Sequence, residues 1–395
     1  MKRIYLDHSA TTPMDKKVLG AMMPYFGSKF GNPSSIHAFG QEAAAAVDRA
    51  REQAAKFLNC EVDEIIFTSG ATEANNLAIR GFIKAVLRQG VKNSHIITTR
   101  IEHPAVLEPC AELAKEGIGV TYLPVKANGI VDMEKFNESI KDNTVLVSVM
   151  FVNNEVGSIQ PIKEIGKIVK KINDRRPRKI YFHTDATQAP SFLNCDVKWN
   201  YIDLLSLSGH KIYGPKGAGA LYVKSGTPLS ALQTGGHHEK NLRSGTLNVP
   251  GIVGLGEALA QLSREAVEKN NKKIVRLRDM LTAGIMENVP DTILNTDREF
   301  SAPAHAHFSF LGAEGEAILI ALDLAGIAVS TGSACASGSL KPSHVLLAMG
   351  IRPEIAHNSI RFTLGKYTTE AEIKRIIKIL PPIIKKLRRM SPEYF

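Results

Sequence analysis

Cysteine is scarce in this chain: Cys60, Cys110, Cys195 and Cys335 are the four in 395 residues. They are far apart and show no paired metal-ligand or redox spacing, so reduced thiols in a reducing compartment are the simple reading. Cys60, Cys110 and Cys195 lie in or beside apolar or helical text and read as structural. Long apolar runs are also missing, and no stretch approaches the ~20 residues that a membrane span requires. The segment Met1 to Asp7 meets an acid at once and has no apolar core of a leader, so a secretory signal is not expected and a cytoplasmic enzyme is the default. Acids are outnumbered, 39 against 49 Lys and Arg, for a net charge of +10. Much of the excess lies in Lys167 to Lys179 and Lys374 to Arg389, interleaved with isoleucine at helical spacing. A solvated helix face explains both runs; docking of an acidic protein or RNA is the functional alternative. No internal repeat and no low-complexity linker is visible.

What is present is text for a large core. Hydrophobic residues make up 44% and charged residues 22%, a soluble globular composition, and the length suggests roughly two or three units. From about residue 42 to 254, helical text alternates with strand-like runs at 64–68, 95–99, 120–123, 144–149, 179–182, 204–207 and 218–223. That alternation predicts a mainly parallel sheet covered by helices on both faces, with its sites at the carboxyl ends of strands. One long helical stretch, Val253 to Glu287, then leads to a second region. This region has strands near 306–310 and 359–364 and helices from Glu314 and Thr369. Thr369-Glu370-Ala371-Glu372 reads as a capping box, and Pro381-Pro382 is expected to break or bend the last helix.

The polar clusters fall at the predicted strand ends. Leu204 to Leu207 runs into Ser208-Gly209-His210-Lys211, which places a lysine where solvation can be lost and its amine freed to attack a carbonyl. The commonest use of such a lysine is a Schiff base with pyridoxal phosphate. Thr68 to Asn76, a strand running into a helix, offers free N–H groups for a phosphate, or simply a helix cap. Asp185 could hold a pyridine nitrogen protonated or serve as an N-cap; Gln188 is within reach of the same ligand. His103, ahead of Pro104, could stack on a ring and move protons, or be structural. Asn153-Asn154-Glu155 has the same ambiguity. Cys335 sits among glycine, serine and alanine from Ser330 to Ser339, text that cannot pack a core and reads as a mobile loop.

Read together, YLDHSATTP, FGNPSSIH, FTSGATEANNLAI, EHPAVL, VNNEVGSIQPI, HTDATQ, SLSGHKIYGPKGAGALYV, RSGTLNVPGIVG, STGSACASGSLKPSHVLLAMG and IRFTLG resemble the cysteine desulfurases. These are the NifS/IscS-like group of class V pyridoxal-phosphate aminotransferases. The likeness runs essentially the full length. It implies an α/β fold, type I among pyridoxal-phosphate-dependent transferases. The large domain, 16–254, would carry a mainly parallel seven-stranded sheet. Residues 1–15 with 255–395 would form a smaller α+β domain, whose loop at about 330–342 bears the catalytic cysteine.

The same resemblance implies roles for single residues. Lys211 would carry the Schiff base. Ala71, Thr72, Ser208 and His210 would bind phosphate, and Thr246 would reach the phosphate of the other subunit in a homodimer. Asp185 would pair with the ring nitrogen, Gln188 and Asn154 would contact the phenolic oxygen side, and His103 would stack on the ring. Arg361, with Asn154, would hold the substrate carboxylate, for which a planar fork of donors is suited. L-cysteine would yield L-alanine and a persulfide on Cys335, whose thiolate attacks the substrate sulfur. The sulfur would pass to an iron–sulfur scaffold or a tRNA-thiolation enzyme. No metal is implied beyond a transient iron–sulfur ligand role for Cys335, and neither DNA nor a membrane is an expected partner. Selenocysteine lyase or another class V aminotransferase is the alternative enzyme, and a basic RNA-binding scaffold the alternative of another class. Three departures from the family pattern stand out: His8, expected near the substrate; the basic insertion 175–179; and an end at Phe395, sooner than in relatives that serve a scaffold.

Overall fold

The computed structural model describes residues 3–332 and 342–390. The chain begins with a two-residue strand, β1 (Ile4–Tyr5), and then builds a seven-stranded sheet. Its strands are β2 (Ile65–Thr68), β3 (His95–Thr99), β4 (Gly119–Leu123), β5 (Thr144–Ser148), β6 (Tyr181–Asp185), β7 (Leu204–Ser208) and β8 (Gly219–Val223). The order across the sheet is β2-β8-β7-β6-β5-β3-β4. β8 pairs antiparallel with both neighbours, and the remaining pairs are parallel. Six strands therefore point the same way, and their carboxyl ends share one edge.

Alternation along each strand feeds two cores. Phe67, Ile97, Val147, Leu205 and Leu207 join one apolar cluster, while Ile66, Ile96, Leu146 and Leu204 join the other. Both faces must be apolar because helices cover both. On the first face the alanine-rich helix Ala38–Leu58 lies against Val249–Ala260. Their backbones approach so closely that a Cβ on Gly256 would stand 2.7 Å from Ala50 Cα. Glycine at 256 and alanine at 50 are what that contact requires. The single helix expected from Val253 to Glu287 is two, Val249–Ala260 and Arg264–Asn288. The second starts where the Ser263 side chain accepts a hydrogen bond from Ala266 N.

The second region holds β9 (Thr292–Leu294), β10 (His305–Phe310), β11 (Ile327–Ala328) and β12 (Ser359–Thr363). An antiparallel sheet runs β12-β10-β9, and β11 pairs in parallel with β1. Phe308 touches Phe310 and Phe362 at ring centroids 5.9 Å apart, and Ile4 and Leu6 from the chain start share this core. The capping box forms: Glu372 accepts from Thr369 N at 2.8 Å, and Thr369 Oγ1 accepts from Glu372 N at 3.4 Å. Pro381-Pro382 does not break the last helix, which continues from Glu370 to Met390. The apolar stripe Ile373, Ile376, Leu380 and Ile384, buried on both sides of the pair, holds it together.

The basic insertion is partly structural. Arg176 donates to the carbonyls of Asp142 at 2.6 Å and Thr144 at 3.2 Å, securing the start of β5. Among the described residues no helix is long and apolar enough to cross a membrane.

Candidate active site

Five strand ends open onto one cavity of about 640 Å³. Ala71 and Thr72 follow β2, His103 follows β3, Asn154 follows β5, Asp185 ends β6, and Ser208, His210 and Lys211 come from the end of β7. Gln188 and Arg361 complete the lining among the expected residues. Thr246 is exposed and outside this lining. Cys335 falls outside the described residues.

Lys211 ends a single tight turn, Gly209–Lys211, immediately after β7. Its Nζ donates to the carbonyls of Ser9 and, at 2.7 Å, Ala10. The same N-terminal segment is stitched down around it. Thr12 Oγ1 and N both donate to His210 O, at 2.9 and 2.8 Å, and Gln188 Nε2 donates to Ser9 O at 2.9 Å. Residues 9–12 therefore roof the lysine, a role with no local sign in the sequence.

Asp185 is 6% exposed. One carboxylate oxygen accepts from Thr187 N at 2.9 Å, and the other accepts from Asn75 Nδ2 at 2.7 Å. Asn75 is fully buried and its Oδ1 has no partner among the described residues. It was hidden in GATEANN because a helical asparagine carries no sequence mark of what it faces. Opposite, His103 caps the helix Pro104–Lys115: its Nδ1 accepts from Ala105 N at 3.1 Å. That bond fixes the tautomer with the proton on Nε2. Burial holds its pKa below the usual histidine value, against the upward pull of Asp185. Burial thus favours the neutral ring. His210, beside Lys211, is pushed down to about 4, first by burial and then by the lysine charge.

Gly70, at φ +153°, turns the end of β2 into the helix Ala71–Asn76, a backbone angle that favours glycine. No side chain caps this helix, so its first amides are open to an anion. Behind it, Arg243 Nε donates to Glu73 at 2.9 Å. The loop bearing Arg243 and Thr246 leaves a strained turn, since Glu239, Lys240 and Asn241 all have positive φ (41°, 57° and 64°). Buried Glu239 fixes that turn by accepting from Arg51 at 2.5 and 3.1 Å and from Phe67 N at 2.7 Å.

Arg361 lies on β12 and is 3% exposed. Its Nη2 donates to Asp7 at 2.7 Å and its Nη1 to Asn154 O at 2.9 Å. Asp7 is a second residue that sequence reasoning missed; its contact with Arg361 spans 354 residues of chain. His8, expected near the substrate, does not line this cavity. Its Nδ1 bonds Thr363 O at 2.9 Å and it borders a neighbouring hollow with Tyr5 and Glu372. Two buried acids flank the site. Glu102, before His103, is pushed up to about 8 by burial, and its Oε1 accepts from Thr99 Oγ1 and Met150 N, both at 2.8 Å. Glu155, after Asn154, is pushed up to about 7, also by burial.

A strand-end amine, a buried carboxylate, an uncapped helix start and a neutral histidine in one cavity fit pyridoxal phosphate: an aldehyde, a ring nitrogen, an anion and an aromatic face. Fold and donor set are those of a pyridoxal-phosphate-dependent enzyme. The family model for aminotransferase class V matches residues 4–376, and the chain belongs to that family. Pyridoxal 5'-phosphate is its cofactor. The chain is 48% identical over 393 residues to cysteine desulfurase IscS of Dictyoglomus turgidum, covering 99% of this chain and 97% of the relative. A solved NifS-like protein superposes with TM-score 0.90 at 38% identity, covering 98% of this chain and all of the other. SspA in complex with cysteine superposes at 0.80 with 37% identity over 93% of this chain and all of the other.

Proposed function

We propose how the residues of this chain divide the work of a pyridoxal-phosphate-dependent cysteine desulfurase. The enzyme removes the sulfur of L-cysteine as a persulfide and leaves L-alanine. The observation that carries the division is the convergence of Lys211, Asp185, His103 and Arg361 on one cavity, with two cationic groups, a carboxylate and a neutral histidine in distinct places.

When bound, the cofactor withdraws charge from the α-carbon of the substrate. Ala71, Thr72, Ser208 and His210 hold its phosphate, Asp185 keeps a proton at the ring nitrogen, and Gln188 and Asn154 face the phenolic oxygen. Arg361, already oriented by Asp7 and the Asn154 carbonyl, takes the substrate carboxylate. Lys211 Nζ accepts the α-proton, and the Ser9 and Ala10 carbonyls steady the protonated amine. His103 Nε2 serves proton transfer at the sulfur. The Cys335 thiolate attacks that sulfur: a new S–S bond forms, the C–S bond breaks, and its electron pair returns to the substrate carbon. That β-carbon takes up a proton, Lys211 returns one to the α-carbon, and release of the product gives L-alanine.

In this reading residues 16–254 form the cofactor domain, and 1–15 with 255–395 form the smaller one. Thr246, exposed beyond a strained turn, reaches the phosphate in a second copy of the chain, so the active unit is a homodimer. The persulfide goes to a sulfur acceptor, an iron–sulfur scaffold or a tRNA-thiolation enzyme, in the cytoplasm. The test is to incubate the purified enzyme with L-cysteine and count products. L-Alanine should equal persulfide plus sulfide, and Cys335→Ala should keep the cofactor absorbance and lose persulfide. Transamination of a keto acid in place of alanine formation, or a normal persulfide rate in Cys335→Ala, overturns the reading.

A further inference from the structure

Gly332 and Ser343, which precede and follow Cys335 in the chain, meet the same side chain. Glu155 is 4% exposed. Its Oε2 accepts from Ser343 Oγ at 2.5 Å, and that hydroxyl in turn accepts from Leu346 N at 3.2 Å, capping the helix His344–Ala348. From the other direction, buried Gly332 packs so tightly that a Cβ there would lie 2.5 Å from the same Oε2 and 3.2 Å from His307 Nε2. His307 is fully buried on β10, with Nδ1 bonded to Asn295 and Nε2 without a partner among the described residues.

Glu155 is itself rigidly seated. Its amide and that of Val156 donate to Asn153 Oδ1 at 2.9 and 3.0 Å, and Asn153 Nδ2 donates to Ile101 O at 3.0 Å. The preceding residue, Asn154, offers its carbonyl to Arg361. Two consecutive residues thus tie the carboxylate-binding arginine to Gly332 on one side and Ser343 on the other. We propose that Glu155 is a positioning residue for sulfur transfer: through Ser343 and Gly332 it sets where the Cys335-bearing stretch leaves and re-enters the fold, relative to Arg361. This rests on the reading that Cys335 receives the sulfur. It does not concern cofactor binding, to which Glu155 makes no contact in the cavity lining.

Geometry of this kind acts on rate, because a misplacement of ~1 Å can cost roughly 100-fold in a reaction that depends on approach. The test uses full-length holoenzyme carrying Glu155→Ala, Glu155→Gln, Ser343→Ala, Gly332→Ala and the double variant Glu155→Ala/Gly332→Ala. It reads cofactor absorbance, KM and kcat for L-cysteine, and single-turnover persulfide on Cys335 by mass. Glu155→Ala is expected to keep the absorbance and hold KM within about 2-fold, while persulfide formation falls roughly 10- to 100-fold. Glu155→Gln, which retains an acceptor oxygen for Ser343, recovers most of the rate. Gly332→Ala slows transfer because its Cβ collides with the carboxylate. The double variant is no slower than either single one, because removing the carboxylate makes room for the methyl group, a non-additivity expected only of groups in contact. Parallel losses in absorbance, KM and kcat, or additive losses in the double variant, overturn the proposal. If Glu155→Ala fails to fold, Ser343→Ala, which deletes one hydroxyl, decides between the same outcomes. Cys335→Ala in the same assay separates the two ideas: persulfide elsewhere in that variant removes the underlying reading, whatever Glu155 does.

Discussion

The two sides of the active-site cavity are built differently. On the side proposed for the cofactor, Asp185 ends a strand of one buried sheet, and Lys211 and His103 each come within four residues of the end of another. Their positions are set by the β-ladder and shift only if the sheet shifts. On the side proposed for the substrate, Asp7, Ser9, Asn154 and Arg361 come from the chain start, a loop and the second region. They are joined by contacts such as Asp7–Arg361 across 354 residues. The first side is rigid by local construction and the second by long-range agreement. Cofactor capture and substrate handling are therefore separable by mutation.

The hardest blow to the cofactor side is Lys211→Ala. It should abolish the lysine-linked cofactor absorbance and lower desulfuration by roughly 1,000-fold or more, the scale of a lost general base. Retention of that absorbance would remove Lys211 from its role. On the substrate side, Arg361→Lys keeps the charge and loses the fork. A charge-assisted hydrogen bond is worth ~1.5–3 kcal/mol, so KM for L-cysteine should rise roughly 10- to 100-fold with cofactor absorbance intact. A simultaneous loss of absorbance would show that the two sides are one unit. Asn75→Ala removes the donor to Asp185 and probes the cofactor side more gently. Cofactor affinity should weaken about 10-fold, measured by absorbance titration, while KM for L-cysteine in the loaded enzyme stays unchanged.

The smallest effect concerns pH. Glu102 is raised in the folded chain, to about 8 from 4.5. Its contribution to stability is therefore complete below about 4.5 and lost as pH rises towards 8. His95 and His210 are depressed, both to about 4 from 6.5. Their contribution is complete above about 6.5 and lost as pH falls towards 4. Denaturant midpoints should peak between these limits, and Glu102→Gln should reduce the alkaline limb, chiefly above the pH of about 7 to which Glu155 is raised. An unchanged alkaline limb would mean that Glu102 is not the group responsible.

What could be read from the sequence follows the same division. All seven sheet strands were expected within a few residues, because buried parallel strands leave continuous apolar runs bounded by helical text. The strand-end places of His103, Asp185 and Lys211 were legible because strand, turn and polar residue are adjacent in the chain. Asn75, Asp7 and the roof of residues 9–12 were not legible: their partners are 110, 354 and about 200 positions away, and no local pattern encodes such a meeting. Two punctuation signals also misled. Pro381-Pro382 sits within a helix whose apolar stripe is buried on both sides of it. Gln261 to Ser263 interrupts what periodicity alone read as one helix.

The pairing of β1 with β11, and the bonds from Thr363 N to Leu6 O and from Ile4 N to Gly326 O, have a bearing on how the enzyme is born. A ribosome releases residues 3–12 long before residues 326–363. The sheet and its lysine can form while translation continues. Residues 9–12 can meet His210 and Gln188 once the sheet exists, but the strand before them waits for its partners at 326–363. A nascent chain that lacks residue 361 would thus present this cavity without Arg361 and leave Asp7 without that partner.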